Sequence, residues 1–220
     1  MESGPVKNLS LPRLRRTRAT KTPRDSAFLT RKIVSPDLLN PNGTLFGGVI
    51  MSWIDEVAFM SARRYSGRPF VVTSAIDNNT FLMPHRTGDH VILTSQVNYA
   101  GRTSMEIGVK VEREDAYTGE RQPATSAYLT FVALDKRGKP APIPELKLEN
   151  AEDQRRHDEA VLRQRVRARI RTHLKKKYER AAKAEAAPGA TNSTAAVRPL
   201  LAYPAPVMNL ARTWWSRIRR

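Results

Sequence analysis

The sequence predicts an α+β fold in which an antiparallel β-sheet wraps around one central buried α-helix. The helix is predicted because residues 49–65 are apolar on nearly every side, which is typical of a helix that is buried all round. The sheet is predicted because later stretches alternate apolar and polar residues with a period of two. Strands of this kind offer one apolar face, so wrapping the sheet around the helix buries both patterns.

The predicted elements follow one another in a simple order. A first strand at 28–34 leads into a dense cluster of turn-forming residues at 40–43. The buried helix comes next and ends in Arg63 and Arg64, cations that suit the C-terminus of a helix. The remaining strands are predicted at 70–76, 91–99, 105–111 and 127–134.

A five-stranded sheet of this kind has consequences for assembly. Its outer strands have free edges, and one flank of the central helix receives no apolar cover from the same chain. A second copy of the chain that closes the open side would solve both problems. The sequence therefore predicts self-association, at least as a dimer.

The net charge of +17 comes from the two ends of the chain and not from its middle. Residues 1–27 contain 7 basic and 2 acidic residues, residues 28–150 contain 14 and 13, and residues 151–220 contain 17 and 6. Basic ends around a nearly neutral middle indicate that the ends serve a different task from the centre.

Several classes of chemistry are excluded by composition. The chain has no cysteine, which excludes disulfides, thiolate metal sites and a cysteine nucleophile. Its four histidines show no metal-binding spacing, so neither a metal nor another cofactor is expected. No apolar run approaches the roughly 18 residues that span a bilayer. The expected location of the protein is the cytoplasm.

These patterns divide the chain into four segments. We expect a flexible basic tail at 1–27, the folded domain at 28–145, a basic helical extension at 151–186, and a linker with a Trp- and Arg-rich end at 187–220. The extension is expected to pack on the domain through a narrow apolar stripe, formed by Leu162, Val166, Ile170, Leu174 and Tyr178. The basic C-terminal tail suits an anionic partner or a membrane surface.

The loop before the central helix has the features of a ligand site. It begins at Asn40 and ends in the pair Gly47 and Gly48, so the backbone can approach a ligand closely and offer free amide hydrogens at the helix start. Such amides suit an anion or the oxyanion of a reaction intermediate. The alternative interpretation is a tight loop that simply needs small residues.

Asp55 is the second candidate for chemistry. It lies in the most hydrophobic stretch of the chain, where an unpaired carboxylate costs several kcal/mol. Such a carboxylate is paired, protonated or functional, and a functional one acts as a general base or as a nucleophile. Its neighbour Glu56, about 100° further round the helix, is expected to reach the surface or a partner subunit.

Four motifs in register resemble the acyl-CoA hydrolases of the hotdog superfamily, the cytosolic acyl-CoA thioesterases and their small bacterial relatives. The motifs are the segment 40–56, Val72-Thr73, the segment 81–84 followed by Gly88-Asp89, and the turn 101–105. The resemblance covers residues 28–145. It implies a hotdog fold, hydrolysis of the thioester of acyl-CoA to free fatty acid and CoA, sites made between two protomers, and a trimer of dimers.

The resemblance also implies catalytic roles for individual residues. Asp55 matches the catalytic carboxylate, and Asn40 matches a catalytic asparagine that the opposite protomer contributes. Gly47 and Gly48 match the amides that bind the oxyanion. Asp55 would activate a water molecule or attack the thioester directly, and both routes stay open. Many relatives have a histidine where this chain has Phe46, so any role of that imidazole is absent here.

Two further groups of residues are implied to bind substrate. Arg102, Thr103 and Ser104 match the turn that contacts the pantetheine and phosphates of coenzyme A, and a guanidinium suits phosphate. An exposed turn arginine is the structural alternative. The acyl chain is expected in an apolar channel beside the buried helix, with Trp53 and Phe81 among the residues that set its depth.

Two other functions compete with thioester hydrolysis. A hotdog dehydratase or hydratase is disfavoured because it needs a histidine paired with an acid, and residues 40–65 contain no histidine. A non-enzymatic dimer scaffold, with basic tails that bind nucleic acid, acidic partners or an anionic membrane, agrees with the charge distribution. It does not explain Asp55, because an apolar residue would stabilise a scaffold better there.

Overall fold

The computed structural model describes residues 18–185. The predictions for the tail before residue 18, and for the linker and the Trp- and Arg-rich end after residue 185, lie outside the described residues. Within the described residues, no helix is long and apolar enough to cross a membrane.

A five-stranded antiparallel sheet forms the body of the domain, as the sequence predicts. The strands are β2 (Phe28–Ile33), β3 (Phe70–Phe81), β4 (His90–Ala100), β5 (Ser104–Glu114) and β6 (Arg121–Leu134). Their spatial order is β2-β4-β5-β6-β3, so β2 and β3 are the two edge strands.

The central helix α1 (Gly47–Ser66) lies against the inner face of this sheet. Ile54, Val57 and Ala58 have no exposed surface, because the strands wrap around this side of the helix. The helix ends at Gly67, whose φ of 59° is the left-handed conformation that a glycine adopts at low cost. The predicted arrangement of a sheet around one buried helix is therefore confirmed.

Part of the predicted N-terminal tail belongs to the folded domain. Strand β1 (Thr20–Lys21) pairs in parallel with β7 (Glu145–Leu146), and the guanidinium of Arg18 donates to the carbonyl of Gly101 across 2.7 Å. The hydroxyl of the fully buried Ser26 accepts a hydrogen bond from the amide of Val97. The prediction of flexibility up to residue 27 is wrong for this part, because these side chains satisfy polar groups that composition does not reveal.

The C-terminal helix α2 (Ala151–Glu185) covers the outer face of the sheet, but not through the predicted stripe. Leu162, Val166 and Ile170 are 61%, 46% and 54% exposed in the chain. The side that faces the sheet instead contains the fully buried Ala160 together with arginines. The stripe prediction is wrong because the outer face of the sheet is polar and binds guanidinium groups.

Glu106 is the centre of that polar contact. Its carboxylate is completely buried and accepts hydrogen bonds from the guanidinium of Arg163 at 2.8 and 3.2 Å. The same guanidinium lies 3.5 Å from the centre of the Tyr128 ring, and Arg167 forms an ion pair with Asp77 at 2.8 Å. Burial raises the pKa of Glu106, and the hydrogen bonds from Arg163 oppose that shift.

Candidate active site

The loop before α1 is held in shape by Asn40. Its side-chain oxygen accepts a hydrogen bond from the amide of Asn42 at 2.9 Å, and its side-chain nitrogen donates to the hydroxyl of Thr44 at 2.9 Å. The amide of Leu45 donates to the carbonyl of His85, which ties the loop to the segment after β3. In the single chain Asn40 therefore stabilises the loop that delivers the backbone to the start of α1.

The start of α1 offers two unpaired amides. Among the described residues, the N–H groups of Gly47 and Gly48 have no acceptor, as expected at the first turn of a helix. A Cβ atom at Gly48 would lie 2.5 Å from Cε1 of Phe46, so only glycine fits while that ring keeps its position. A helix start with free N–H groups and a positive dipole end suits a developing negative charge.

The first of these two residues, Gly47, lines a cleft of about 370 Å³. The cleft is lined by Asn40, Thr44, Leu45, Gly47, Ile50, Phe81, Leu82, Met83, Pro84 and His85. The structure therefore brings together three of the predicted site residues, Asn40, Gly47 and Phe81. Phe81 is 52% exposed and lies against Gly47, so it can contact a ligand at the helix start.

Asp55 lies two turns further along α1, outside the lining of that cleft. Its Oδ1 accepts a hydrogen bond of 2.8 Å from the hydroxyl of Thr73 on β3, and Oδ2 has no partner among the described residues. Asp55 is half-buried, whereas the sequence places it in an apolar, buried stretch. The difference arises because this side of α1 faces the free edge at β3, where the same chain supplies little cover.

The other predicted residues on α1 are also located. Trp53 is half-buried, packs against the hydrophobic core, and has the ammonium of Lys32 6.0 Å from its ring centre. It is not part of the cleft lining. Glu56 reaches the surface, as predicted, and forms an ion pair with Lys32 at 3.2 Å.

The turn Arg102–Ser104 lies far from the cleft in the same chain. Ser104 pairs with Val132 near the start of β3, whereas Phe81, which lines the cleft, is at the other end of β3. The turn is fixed by its backbone, since the carbonyl of Arg102 accepts from the amide of Ile143 at 3.0 Å. The Arg102 side chain is exposed and has no ion pair within residues 18–185.

His85 is a cleft residue that the sequence prediction does not include. It is 4% exposed, and neither ring nitrogen has a hydrogen-bond partner among the described residues. Burial lowers the pKa of its imidazole; Asp89 opposes this shift, and Arg113 adds to it. Its position directly after Pro84, inside one of the four motifs, was the available signal.

Comparisons with known proteins identify relatives of this chain. The model of a family described as the thioesterase superfamily matches residues 42–120. The chain is 41% identical over 157 residues to an uncharacterized acyl-CoA thioester hydrolase of Bacillus subtilis, which covers 71% of this chain and 91% of that relative.

Two solved structures extend the agreement to the fold. An acyl-CoA hydrolase from Staphylococcus aureus, in complex with butyryl coenzyme A, coenzyme A and coenzyme A disulfide, matches with a TM-score of 0.69 and 35% identity, over 74% of this chain and 99% of that chain. A hexameric acyl-CoA thioesterase in its apo form matches with a TM-score of 0.66 and 34% identity, over 69% and 97%. The fold and these relatives together establish that the chain belongs to the thioesterase superfamily and has its hotdog fold.

Proposed function

We propose that this protein hydrolyses the thioester bond of acyl-CoA, with Asp55 as the catalytic carboxylate. The observation that carries the proposal is the arrangement on α1. Its first turn has free amides at Gly47 and Gly48, of which Gly47 lines the cleft, and two turns later Thr73 holds a carboxylate with one free oxygen. Thioester hydrolysis needs these two groups, a donor for the oxyanion and an acid or base for the attacking oxygen.

Asp55 acts through its unpaired Oδ2. It removes a proton from a water molecule that attacks the thioester carbonyl, or it attacks that carbonyl itself to form an anhydride that water then opens. The negative charge that develops on the carbonyl oxygen is stabilised by the amides at the start of α1 in a second protomer, because about 12 Å of helix separates Asp55 from those amides in its own chain. The thiolate of coenzyme A leaves and takes up a proton, which gives a free fatty acid and free thiol.

A complete site requires two protomers. Asp55 and the α1 cleft of one chain are separated along the helix, and Asp55 faces the free edge strand β3. Antiparallel pairing of two β3 strands would continue the sheet and bring Asn40 of one copy towards Asp55 of the other. A relative described as hexameric supports self-association, and we propose that three such dimers associate.

Substituted forms of the Staphylococcus aureus hydrolase support the same residues. Structures of that protein include variants in which one asparagine, one aspartate or one threonine is replaced by alanine. Its asparagine and aspartate have the same separation in sequence as Asn40 and Asp55. In that protein the threonine is one residue closer in sequence to the aspartate than Thr73 is to Asp55.

Coenzyme A is bound in this proposal by the turn Arg102–Ser104. The guanidinium of Arg102 is exposed and unpaired within the described residues, so phosphate can bind it without breaking an existing ion pair. The turn lies at the far end of the sheet from the cleft of its own chain. It therefore serves the substrate of a neighbouring protomer, and Phe81 contacts the acyl part.

The test is release of free thiol from a panel of acyl-CoA esters. The chain has no cysteine, so the protein adds no thiol background to the assay. Replacement Asp55→Asn is expected to lower kcat by about 10²–10⁴-fold. The matched control Glu56→Gln changes the neighbouring carboxylate, which is exposed, and is expected to keep activity within about twofold of wild type.

Two results would contradict the proposal. The first is wild-type protein that is folded and assembled but releases no thiol from any ester in the panel. The second is an Asp55→Asn variant with unchanged kcat, which would remove Asp55 from the mechanism while leaving hydrolysis itself intact.

A further inference from the structure

Helix α2 crosses the outer face of the sheet towards its free edge. The ring of His157 lies 5.6 Å from that of Tyr99 on β4, and Arg163 binds Glu106 on β5. Arg167 then reaches β3 through its ion pair with Asp77. Because the strand order is β4-β5-β6-β3, these contacts follow the strands one after another and end at the edge strand.

About half of α2 extends beyond that last contact. The remaining segment, residues 168–185, is about 27 Å long at about 1.5 Å per residue. Among the described side chains of residues 168–180, no hydrogen bond, ion pair or ring contact joins α2 to the described part of the sheet. A basic helix of this length without tertiary contacts is only marginally stable in water, so its stability calls for a packing surface.

Beyond the edge, the side of α2 that faces the sheet contains two apolar residues, Leu174 and Tyr178, beside the exposed Arg171. Tyr178 follows Ala160, which is fully buried against the sheet, by about five helical turns, so the two residues share one side of the helix. Leu174 follows Arg167 by about two turns and lies on nearly the same side. Both are half-buried, whereas every other side chain described from 168 onwards is exposed.

We propose that residues 168–185 of α2 pack on the outer sheet face of a second copy of this chain. This inference rests on the β3 pairing in the proposed function. Two antiparallel β3 strands paired about a twofold axis put both outer faces on the same side of one continuous sheet. A helix that passes over the β3 edge of its own sheet then lies on the sheet of the partner, with Leu174 and Tyr178 facing it.

The exposed residues of α2 acquire a role in the same arrangement. The two α2 helices run antiparallel past the twofold axis, next to each other. Val166 and Ile170 lie on the flank of α2, beside the residues that face the sheet and close to where the helix crosses β3. Their side chains are 46% and 54% exposed in the single chain. Each helix therefore presents this pair of apolar residues, four positions apart, to the α2 helix of the other copy. Rows of side chains with this spacing are the ones that interlock when two helices pack.

The absence of cysteine in the chain allows a direct test by thiol labelling. Two single-cysteine variants of the full chain are compared, Tyr178→Cys on the sheet-facing side and Lys176→Cys on the opposite, exposed side. At a concentration where sedimentation shows the assembled protein, a maleimide is expected to react about tenfold more slowly at position 178. On dilution to the dissociated protein, labelling at 178 is expected to accelerate while labelling at 176 stays constant.

A second pair of variants measures the contribution to assembly. Leu174→Asp is expected to raise the dissociation constant of the dimer about tenfold or more, because a leucine loses its apolar contact surface. Lys176→Asp makes a larger change of charge on the opposite side of the helix and is expected to change that constant by less than about threefold. Circular dichroism checks that both variants keep their helix content.

Each of three results would overturn the inference. If labelling at 178 is equally fast in the assembled and dissociated protein, α2 does not cover a second copy. If labelling slows only after addition of phosphatidylglycerol vesicles or of RNA, the helix binds that partner instead. If active protein stays a dimer in which Leu174→Asp behaves like Lys176→Asp, the β3 dimer and hydrolysis stand and the role of α2 fails.

Discussion

The hydroxyl of Thr73 donates a hydrogen bond of 2.8 Å to Oδ1 of Asp55, which fixes a carboxylate of the central helix to the edge strand β3. This bond uses one carboxylate oxygen and leaves the other free for chemistry. It also couples the orientation of Asp55 to the strand at which a second copy is proposed to pair. Substrate binding and assembly therefore act on the same few residues.

Removal of the Thr73 hydroxyl tests this coupling. In Thr73→Val the carboxylate loses a hydrogen bond to a charged group, worth about 1.5–3 kcal/mol, and kcat is expected to fall about 10–100-fold. Thr73→Ser keeps the hydroxyl and is expected to retain most of the activity. Steady-state kinetics with one acyl-CoA ester would show both effects, and equal activity of the two variants would separate Thr73 from the orientation of Asp55.

The close contact between Gly48 and Phe46 gives a prediction for stability. In Gly48→Ala the new methyl group would lie 2.5 Å from the Phe46 ring, so the ring must move, and the free energy of unfolding is expected to fall by about 1 kcal/mol. Gly47→Ala meets its nearest atom at 3.9 Å and is expected to cost nothing. Urea unfolding measures the free energy of unfolding of both variants. In a Phe46→Ala background the cost of Gly48→Ala should vanish, and an unchanged cost would mean that the backbone itself requires glycine.

His85 predicts how stability depends on pH. Burial lowers the pKa of its imidazole in the folded protein below the unfolded value of about 6.5. As pH falls through 6.5 the unfolded chain binds a proton at this residue and the folded protein does not, so stability is lost from there down to the folded pKa. Chemical unfolding between pH 7.5 and pH 5, values chosen to bracket about 6.5, should show this loss, and His85→Phe should reduce it. Identical pH profiles would show that His85 titrates alike in both states.

The sequence was sufficient for the layout of the domain but not for its two ends. The apolar run of α1 and the alternation of the strands have a single compact solution, which is why the order of elements is predicted correctly. Arg18 and Ser26 bind backbone groups that are distant in sequence, and no local pattern indicates such contacts. The N-terminal boundary of the domain therefore required the structure.

Some residues in and near the site have a signal in the sequence, and others do not. Motif positions identify Asn40, Gly47 and Phe81, which the structure brings into one cleft. His85 was not predicted because its place after Pro84 indicates only that it is close to a motif, and no local pattern indicates that its ring is buried in the cleft. The sequence predicts that α2 contacts the domain through its apolar stripe, because hydrophobic periodicity is the pattern that indicates the buried side of a helix. The buried Glu106 on the sheet requires a cation next to it. The arginines of α2, and not its apolar residues, therefore contact the sheet.

The ion pair between Glu106 and Arg163 gives the last prediction, a double-mutant cycle. Arg163→Met leaves the fully buried carboxylate without its closest partner, and the free energy of unfolding is expected to fall by about 3–5 kcal/mol. Glu106→Leu is expected to cost less, because the Arg163 side chain is 21% exposed and can turn towards water. The double variant replaces the pair by apolar groups and is expected to recover most of the loss.

Arg165→Met is the matched control for this cycle. Arg165 is exposed on the same helix and has no ion pair among the described residues, so its replacement is expected to change stability by less than about 0.5 kcal/mol. Urea unfolding followed by circular dichroism measures all four variants under one set of conditions. If the two single losses simply add in the double variant, Glu106 and Arg163 do not depend on each other, and α2 is held to the sheet by its other contacts, Arg167 with Asp77 and His157 with Tyr99.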